Sequence, residues 1–197
     1  MKKAMLGGSI HSGKTKTLDN LVADGYMGLL FTENLKILAA KMFQAIADDI
    51  GELITYDDLR TTQKTRARPF LAELGVFLGI DDHPRWAKWA LVPWYQAKCP
   101  PAVVESIRTP AQYRAFKKHG FELVWLDVEP ADQERRARAL GHDPLKLTVS
   151  GAHWSESHST FLRKHAKLVL NTSRLSPKEV AEAIKAALDG SGKVFIF

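Results

Sequence analysis

The sequence has little of what would place it outside the ordinary globular proteins. Cys99 is the only cysteine among 197 residues, which excludes an internal disulfide framework and fits a reducing, cytoplasmic environment. No apolar run approaches the roughly 18 residues that crossing a bilayer requires, so no membrane partner is expected. The apolar residues 4–6 are followed at once by Gly7-Gly8-Ser9, which does not fit a secretory signal peptide.

Acidic residues are the scarcer charged class. The chain has 28 Lys and Arg against 22 Asp and Glu, a formal net charge of +6. A basic balance favours anionic partners, either nucleotides or nucleic acid, and the alternative is a contribution to solubility alone.

Short apolar segments alternate with segments of helical periodicity. Strands are predicted over residues 3–9, 27–32, 102–105, 121–128, 166–171 and 194–197. Longer helices are predicted over residues 13–22, 35–46, 65–78, 86–95, 110–118, 130–140 and 176–188. This alternation predicts an α/β domain whose parallel sheet is covered on both faces and binds ligands at the carboxyl ends of its strands. Residues 48–98 contain no clear strand and predict a helical insertion over that edge, suited to an acceptor site.

The segment from Gly8 to Thr15, Gly-Ser-Ile-His-Ser-Gly-Lys-Thr, has the pattern of a phosphate-binding P-loop. It follows a predicted strand and precedes a predicted helix, which is the context that the motif requires. Its glycines let backbone N–H groups turn toward phosphate oxygens, while Lys14 would neutralise phosphate charge and Thr15 would hold Mg²⁺. The motif predicts ATP and Mg²⁺ as cofactors. The nucleotide contacts are assigned to Gly8, His11, Ser12, Gly13, Lys14, Thr15 and Lys16, and a chance glycine-rich turn is the alternative.

Charged residues also follow two other predicted strands. Glu33 follows the second strand, and Glu105 and Arg108 follow the third. A carboxylate at such a place can order Mg²⁺ or accept a proton from a hydroxyl group, so Glu105 is a candidate for both metal and acceptor binding. Arg108 could reach the acceptor. A helix cap at Glu33 and a polar strand end at Glu105 are the alternatives.

Two groups of arginines lie on predicted helices. Arg66 and Arg68 could clamp an acceptor phosphate, because guanidinium groups bind phosphate through two parallel hydrogen bonds. Arg135 and Arg138 share a helix face and could stabilise the transferring phosphoryl group from a lid over residues 130–150. In both cases a solvated helix surface is the alternative.

A third basic segment contains tryptophans. Trp86, Trp89 and Trp94 lie close to Arg85 and Lys88, a mixture that can stack nucleic-acid bases. Packing of the tryptophans in a helical core is the favoured alternative.

Together, these motifs resemble the deoxynucleoside monophosphate kinases of tailed phages, a branch of the P-loop kinases. The matching segments run in order over nearly the whole chain. They are the P-loop, FTENLK at 31–36, ITYDDLR at 54–60, RARPFLAELG at 66–75, VVESIR at 103–108, KKHGFELVWLDV at 117–128 and HWSES at 153–157.

The resemblance implies a single three-layer P-loop kinase domain over residues 1–197, working in a host-cell cytoplasm if phage-encoded. It implies phosphate binding by the loop, a lid arginine at Arg135 or Arg138, and acceptor contacts near Glu33, Lys36, Arg66 and Arg68. A deoxynucleotide would be the acceptor, and a homodimer is left open.

Two departures from the family pattern bear on the acceptor. Gly79-Ile80 stand where the family often has an arginine, and Ser106, beside Glu105, stands where it often has an aspartate. Both favour an alternative acceptor, the hydroxyl group of 5-hydroxymethyluracil in DNA, with Glu33 or Glu105 as the base. A third hypothesis is a regulatory or packaging module that hydrolyses ATP, for which Val103-Val104-Glu105 is a weak Walker B candidate.

Overall fold

The computed structural model describes residues 2–30, 33–60, 64–79, 84–141 and 158–190. These residues form five strands, β1 (Lys3–Gly8), β2 (Met27–Leu30), β3 (Ala102–Glu105), β4 (Glu122–Asp127) and β5 (Leu168–Asn171). The strands lie in the order β2-β3-β1-β4-β5, and every neighbouring pair is parallel. The predicted parallel α/β sheet is therefore confirmed, while the strand predicted over 194–197 lies outside the described residues.

Helices fill most of the remaining described chain. They are α1 (Lys14–Ala23), α2 (Glu33–Ala45), α3 (Ala47–Ile50), α4 (Tyr56–Arg60), α5 (Lys64–Phe77), α6 (Pro84–Gln96), α7 (Pro110–Lys117), α8 (Pro130–Ala139), α9 (Ser159–His165) and α10 (Pro177–Asp189). The segment 48–98 has only helices as regular structure among its described residues, as predicted. The periodicity did not predict α3 and α9, because helices this short show too few turns for a repeating pattern.

The alternation of side chains along β1 divides the core into two layers. Ala4 and Leu6 are fully buried and belong to the core under α1 and α10. Met5 lies between them in the chain, is equally buried, and belongs to the core on the opposite face under α2, α5, α6, α7 and α9. Because successive residues of a strand point to opposite faces, three consecutive apolar residues build both sides of a three-layer domain.

The ends of two helices follow from local sequence. The Thr109 hydroxyl accepts a hydrogen bond from the Gln112 amide at the start of α7. Ser176 and Glu179 form a reciprocal capping box at the start of α10, and Gly190 ends that helix with a left-handed φ of 73°. These caps satisfy amide and carbonyl groups that a helix terminus leaves without partners.

The strand order places the candidate site. β1 lies in the middle of the sheet, with β2 and β3 on one side and β4 and β5 on the other. The connections after β1 and β4 therefore leave in opposite directions, which opens a crevice at their carboxyl ends, where open α/β sheets bind ligands. Among the described helices, none has both the length and the apolar character needed to cross a membrane.

Gly7 supports a tight contact within this sheet. It pairs in register with Trp125 of β4. A Cβ atom at residue 7 would lie 2.7 Å from Cε3 of the Trp125 ring, which is closer than carbon atoms approach. We expect Gly7→Ala to lower the free energy of unfolding by about 1–3 kcal/mol through overpacking, measured by urea denaturation.

The double variant Gly7→Ala/Trp125→Phe separates this clash from other effects. The smaller ring should relieve part of the overpacking, so the two losses of stability should add up to more than the loss in the double variant. Strictly additive losses would show that the Gly7–Trp125 contact is not the cause.

Candidate active site

The loop between β1 and α1 curls through unusual backbone conformations. His11 and Gly13 are left-handed, with φ of 59° and 88°, and Gly8 has φ of 139°. A Cβ atom at Gly8 would lie 2.5 Å from the Leu126 carbonyl oxygen and 2.6 Å from Ser12 Oγ. Glycine is therefore required at residue 8 both by conformation and by the close approach of β4.

Lys14 is folded into this loop. Its side chain is buried, and Nζ donates hydrogen bonds to the carbonyl oxygens of Gly8 at 2.8 Å and Ser9 at 2.6 Å. Ser12 Oγ, also buried, accepts a third bond at 3.3 Å. The ammonium group is thus held in the centre of the loop, where a bound phosphate would place its oxygens.

The structure brings the two predicted metal residues together. Thr15 Oγ1 donates a hydrogen bond of 2.8 Å to Glu105 Oε1, although the residues are 90 positions apart in the chain. A hydroxyl and a carboxylate are oxygen donors of the kind that Mg²⁺ prefers, and Mg²⁺ usually takes only one or two protein ligands beside water and phosphate. The pair therefore fits this ion. Within the described ranges, no cluster of three or more His, Cys, Asp or Glu side chains could hold a metal by itself.

The turn after β3 directs Arg108 toward the loop. Ser106 is left-handed, with φ of 71°, a conformation that costs a non-glycine residue roughly 1–2 kcal/mol. After this turn Ile107 is buried, and Arg108 Nη1 reaches the Gly8 carbonyl oxygen at 3.4 Å. The buried Gln112 accepts a hydrogen bond of 2.8 Å from the Arg108 amide. Lys14 and Arg108 therefore converge on one carbonyl group.

Helix α8 also contacts the loop. Arg136 Nη1 donates to the His11 carbonyl at 3.1 Å and to Thr172 Oγ1 at 3.1 Å, and its Nη2 donates to the Thr172 carbonyl. Gln133 Nε2 donates to the Ile10 carbonyl at 2.8 Å. These contacts join the P-loop, α8 and the residue after β5 into one unit.

The sequence reasoning assigned the lid function to Arg135 and Arg138, but the contact to the loop comes from Arg136. The Arg135 side chain is 70% exposed and pairs with Asp132, and its hydrogen bond lowers the pKa of that carboxyl group. Arg138 is 69% exposed and lies 3.5 Å from Glu134. Three arginines within four residues gave no sign of which one faces inward, since that depends on the face of α8 that packs on the sheet. Residues 142–157, with the rest of the predicted lid and the HWSES motif, lie outside the described residues.

For most of the remaining predicted site residues, the structure describes the position in a helix but not the side chain. Glu33 begins α2, Lys36 lies one turn later, and Arg66 and Arg68 lie in the first turns of α5, which packs against α2. The side chains of Glu33, Arg66 and Arg68 lie outside the described atoms, so their acceptor roles stay predictions. Lys16 is on α1, and its side chain is 78% exposed.

A carboxylate that the sequence reasoning missed stands at the end of β4. Asp127 accepts a hydrogen bond of 2.8 Å from the indole N–H of Trp125. Arg163 of α9 donates to it from Nε at 3.0 Å and from Nη2 at 2.9 Å, and this hydrogen-bonded carboxylate raises the pKa of Arg163. No motif pointed to the pair, because its members are 36 residues apart and meet only when α9 packs on β4.

The tryptophans divide between core and surface. Trp86 and Trp94 are buried, and their indole N–H groups donate to the carbonyls of Leu78 and Pro100. Trp89 remains 46% exposed. Trp86 and Trp94 therefore pack in the core, whereas Trp89 does not.

The sequence matches no protein-family model and no curated protein. Solved structures do share its fold. TT1252 from Thermus thermophilus superposes with a TM-score of 0.61 at 19% identity, over 98% of this chain and all of that one. A shikimate kinase from Acinetobacter baumannii, solved with shikimate, gives 0.57 at 15% identity over 98% and 96% of the two chains.

The tunicamycin resistance protein of Deinococcus radiodurans gives a TM-score of 0.53 at 20% identity over 96% of each chain. At such identities the similarity concerns the fold, and it extends over nearly the whole chain. The α/β arrangement with a parallel five-stranded sheet and the glycine-rich loop after β1 is thus the P-loop kinase fold.

Proposed function

We propose that this protein is an ATP-dependent kinase that transfers the γ-phosphoryl group to a deoxynucleoside monophosphate. The observation that carries the proposal is the convergence of Lys14 Nζ and Arg108 Nη1 on the Gly8 carbonyl oxygen, at 2.8 and 3.4 Å. Each of these cations could donate to the oxygens of a phosphate group bound beside this carbonyl. One of them belongs to the donor loop and the other to the β3 side, where an acceptor would bind.

The residues proposed to hold the phosphates and Mg²⁺ all lie within the described part of the chain. Amide groups of the loop and the start of α1 would bind the phosphate oxygens, because a helix N-terminus favours negative charge. Lys14 would exchange its bonds to loop carbonyls for bonds to phosphate oxygens, and Thr15 with Glu105 would hold Mg²⁺. ATP with Mg²⁺ would supply the activated phosphoryl group, and the protein residues would position it and neutralise its charge.

The acceptor half rests on Arg108. Its backbone is held by Gln112, so its guanidinium group is presented from a rigid turn. An acceptor that is itself a phosphate needs cations more than a base, and Arg66 and Arg68 of α5 are the further candidates for that contact. Membership of the phage deoxynucleotide kinase family remains part of the proposal.

A second candidate acceptor is a hydroxyl group, with 5-hydroxymethyluracil in DNA as the substrate. Ser106, beside Glu105, stands where the family often has an aspartate, and a shikimate kinase solved with shikimate shares the fold. A hydroxyl acceptor needs a carboxylate to take its proton. With Glu105 hydrogen-bonded to Thr15, Glu33 at the start of α2 is the candidate base.

An acceptor screen with γ-labelled ATP tests the proposal. We expect label on free deoxynucleoside monophosphates, and label on hydroxymethyluracil-containing DNA would favour the second candidate. Glu33→Gln should reduce transfer to a hydroxyl about 10²–10⁴-fold and transfer to a phosphate much less, because only the hydroxyl needs a general base.

Lys14→Ala is the inactive control for this screen and should reduce transfer about 10²–10³-fold or more with an unchanged circular dichroism spectrum. Lys178→Ala, at the start of α10, removes a surface cation and should leave transfer unchanged. Labelled inorganic phosphate released without any acceptor would support the ATP-hydrolysing module and exclude both kinases.

Glu105→Gln should weaken Mg²⁺ binding. We expect the Mg²⁺ concentration for half-maximal activity to rise about 10-fold, because the carboxylate that joins Thr15 in the metal site loses its charge. Glu182→Gln on α10 removes the same charge from an exposed position and should change nothing. An unchanged Mg²⁺ requirement in Glu105→Gln would remove this residue from the metal site.

Arg136 and Arg135 provide a matched pair on one helix. Arg136→Gln should raise the KM for ATP about 10-fold, because the loop loses its charged donors to His11 and the end of β5. Arg135→Gln should change the KM less than about 2-fold, since its exposed ion pair contributes little. The reverse result would support the lid role predicted for Arg135.

A further inference from the structure

The helices α6, α7 and α9 carry no acidic residues. Glu105, in the active site, is the only acidic residue between positions 83 and 121, and none occurs between 157 and 178. The structure places these helices side by side on one face of the sheet, α6 against α7 and α7 against α9. Ring contacts of Tyr113 with Phe161 and His165 join α7 to α9, and the Tyr95 hydroxyl meets His119 Nδ1 at 2.6 Å between α6 and the end of α7.

Cations point outward from this layer. We call Lys88, Arg114, Lys118, Lys164 and Lys167 the basic face. All five are exposed, and none forms an ion pair within the described ranges. Two more cations of the same layer are paired, Lys117 with Glu122 and Arg163 with Asp127. The layer as a whole is therefore strongly electropositive.

The opposite face of the sheet has a different charge pattern. There Lys2 pairs with Asp189 at 2.8 Å and Lys185 with Asp24 at 2.5 Å, so cations alternate with carboxylates. If the positive charge served solubility alone, we would expect similar charge patterns on both faces of the sheet. The excess positive charge is concentrated on the α6–α7–α9 side, as in a surface that binds a polyanion.

Two exposed aromatic side chains lie in the same layer. Trp89 and Tyr95 of α6 are 46% and 50% exposed. Planar rings among cations can stack nucleic-acid bases while the cations contact phosphates. A lipid surface fits less well. The helix α6 exposes Val92 beside Trp89 and Tyr95, but among the described residues α7 and α9 expose no large hydrophobic side chain that could enter a bilayer.

We infer that the basic face binds the backbone of single-stranded nucleic acid, with Trp89 and Tyr95 as stacking positions. Most of the basic face lies toward the amino ends of the strands, where α7 and α9 end just before β4 and β5. The helix α7 begins at the P-loop edge, at Pro110, two residues after Arg108. A strand lying along α7 would therefore reach the edge of the sheet where the P-loop lies. The inference does not depend on the proposed phosphoryl transfer, because it concerns binding to a surface outside the loop.

Fluorescence anisotropy with a labelled single-stranded DNA of mixed sequence, about 20 nucleotides long, tests this surface. The variant Arg114→Gln/Lys118→Gln/Lys164→Gln should raise Kd about 10-fold at about 0.1 M salt. It should also make the slope of log affinity against log salt shallower by about 2, as expected when three phosphate contacts are lost. Trp89→Ala should weaken binding of the single strand more than binding of the same sequence as a duplex.

The matched control is Lys2→Gln/Lys178→Gln/Lys185→Gln, which removes the same charge from the opposite face and should change Kd less than about 2-fold. Both triple variants should retain ATP binding, which reports an intact P-loop. If the first triple variant fails to fold, Lys118→Glu alone should still weaken binding. Three results would each overturn the inference. They are an equal loss of binding in both triple variants, no binding by the unmodified protein at about 0.1 M salt, and equally tight binding to anionic lipid vesicles through the same residues.

Discussion

The hydrogen bonds from Lys14 into its own loop are the interaction on which the site depends. A buried ammonium group needs acceptors, and the carbonyls of Gly8 and Ser9 can face it only if the backbone curls as it does. The curl in turn requires glycine at position 8, since β4 leaves no room for a Cβ atom. The charge of Lys14, the shape of the loop and the packing of β4 are therefore one connected constraint.

The strand order then determines which residues meet around that loop. Because β1 lies between β3 and β4, the end of β3 brings Glu105 to Thr15 and Arg108 to Gly8. On the other side, α8 and the end of β5 meet at Arg136, which bonds to both His11 and Thr172. Contacts from both halves of the sheet thus converge on the loop, as expected at the position where an α/β sheet reverses its winding direction.

The same layers separate the charges of the molecule. The α1–α10 side carries paired charges, whereas the α6–α7–α9 side carries cations with few carboxylates. The proposed acceptor edge lies where α7 begins, so both proposed acceptor types, a nucleotide and a base in DNA, would approach one end of the basic layer. The positive potential of this layer would attract an anionic acceptor whether or not that acceptor is part of a polymer.

The amino-acid sequence by itself determined the described strands, the longer helices, the fold class and the glycine-rich loop after β1. Local patterns carry that information: alternating burial in β1, the caps at Thr109 and Ser176, and a glycine-rich turn between strand and helix. Short elements such as α3 and α9 escaped prediction because they contain too few turns to show a period. Glu105 could be nominated from its place after a strand, but its contact with Thr15 joins residues 90 positions apart and needed the sheet order.

The tertiary structure alone decided which side chains face the loop. The sequence does not distinguish Arg135, Arg136 and Arg138. Only the packing of α8 turns Arg136 toward the loop, while the other two form ion pairs with acidic residues of the same helix. Asp127 with Arg163, and the joining of α6, α7 and α9 into one basic layer, depend on the same kind of packing. Sequence patterns specify local conformation because neighbouring residues determine it. The direction in which a helix presents its side chains depends on the rest of the chain.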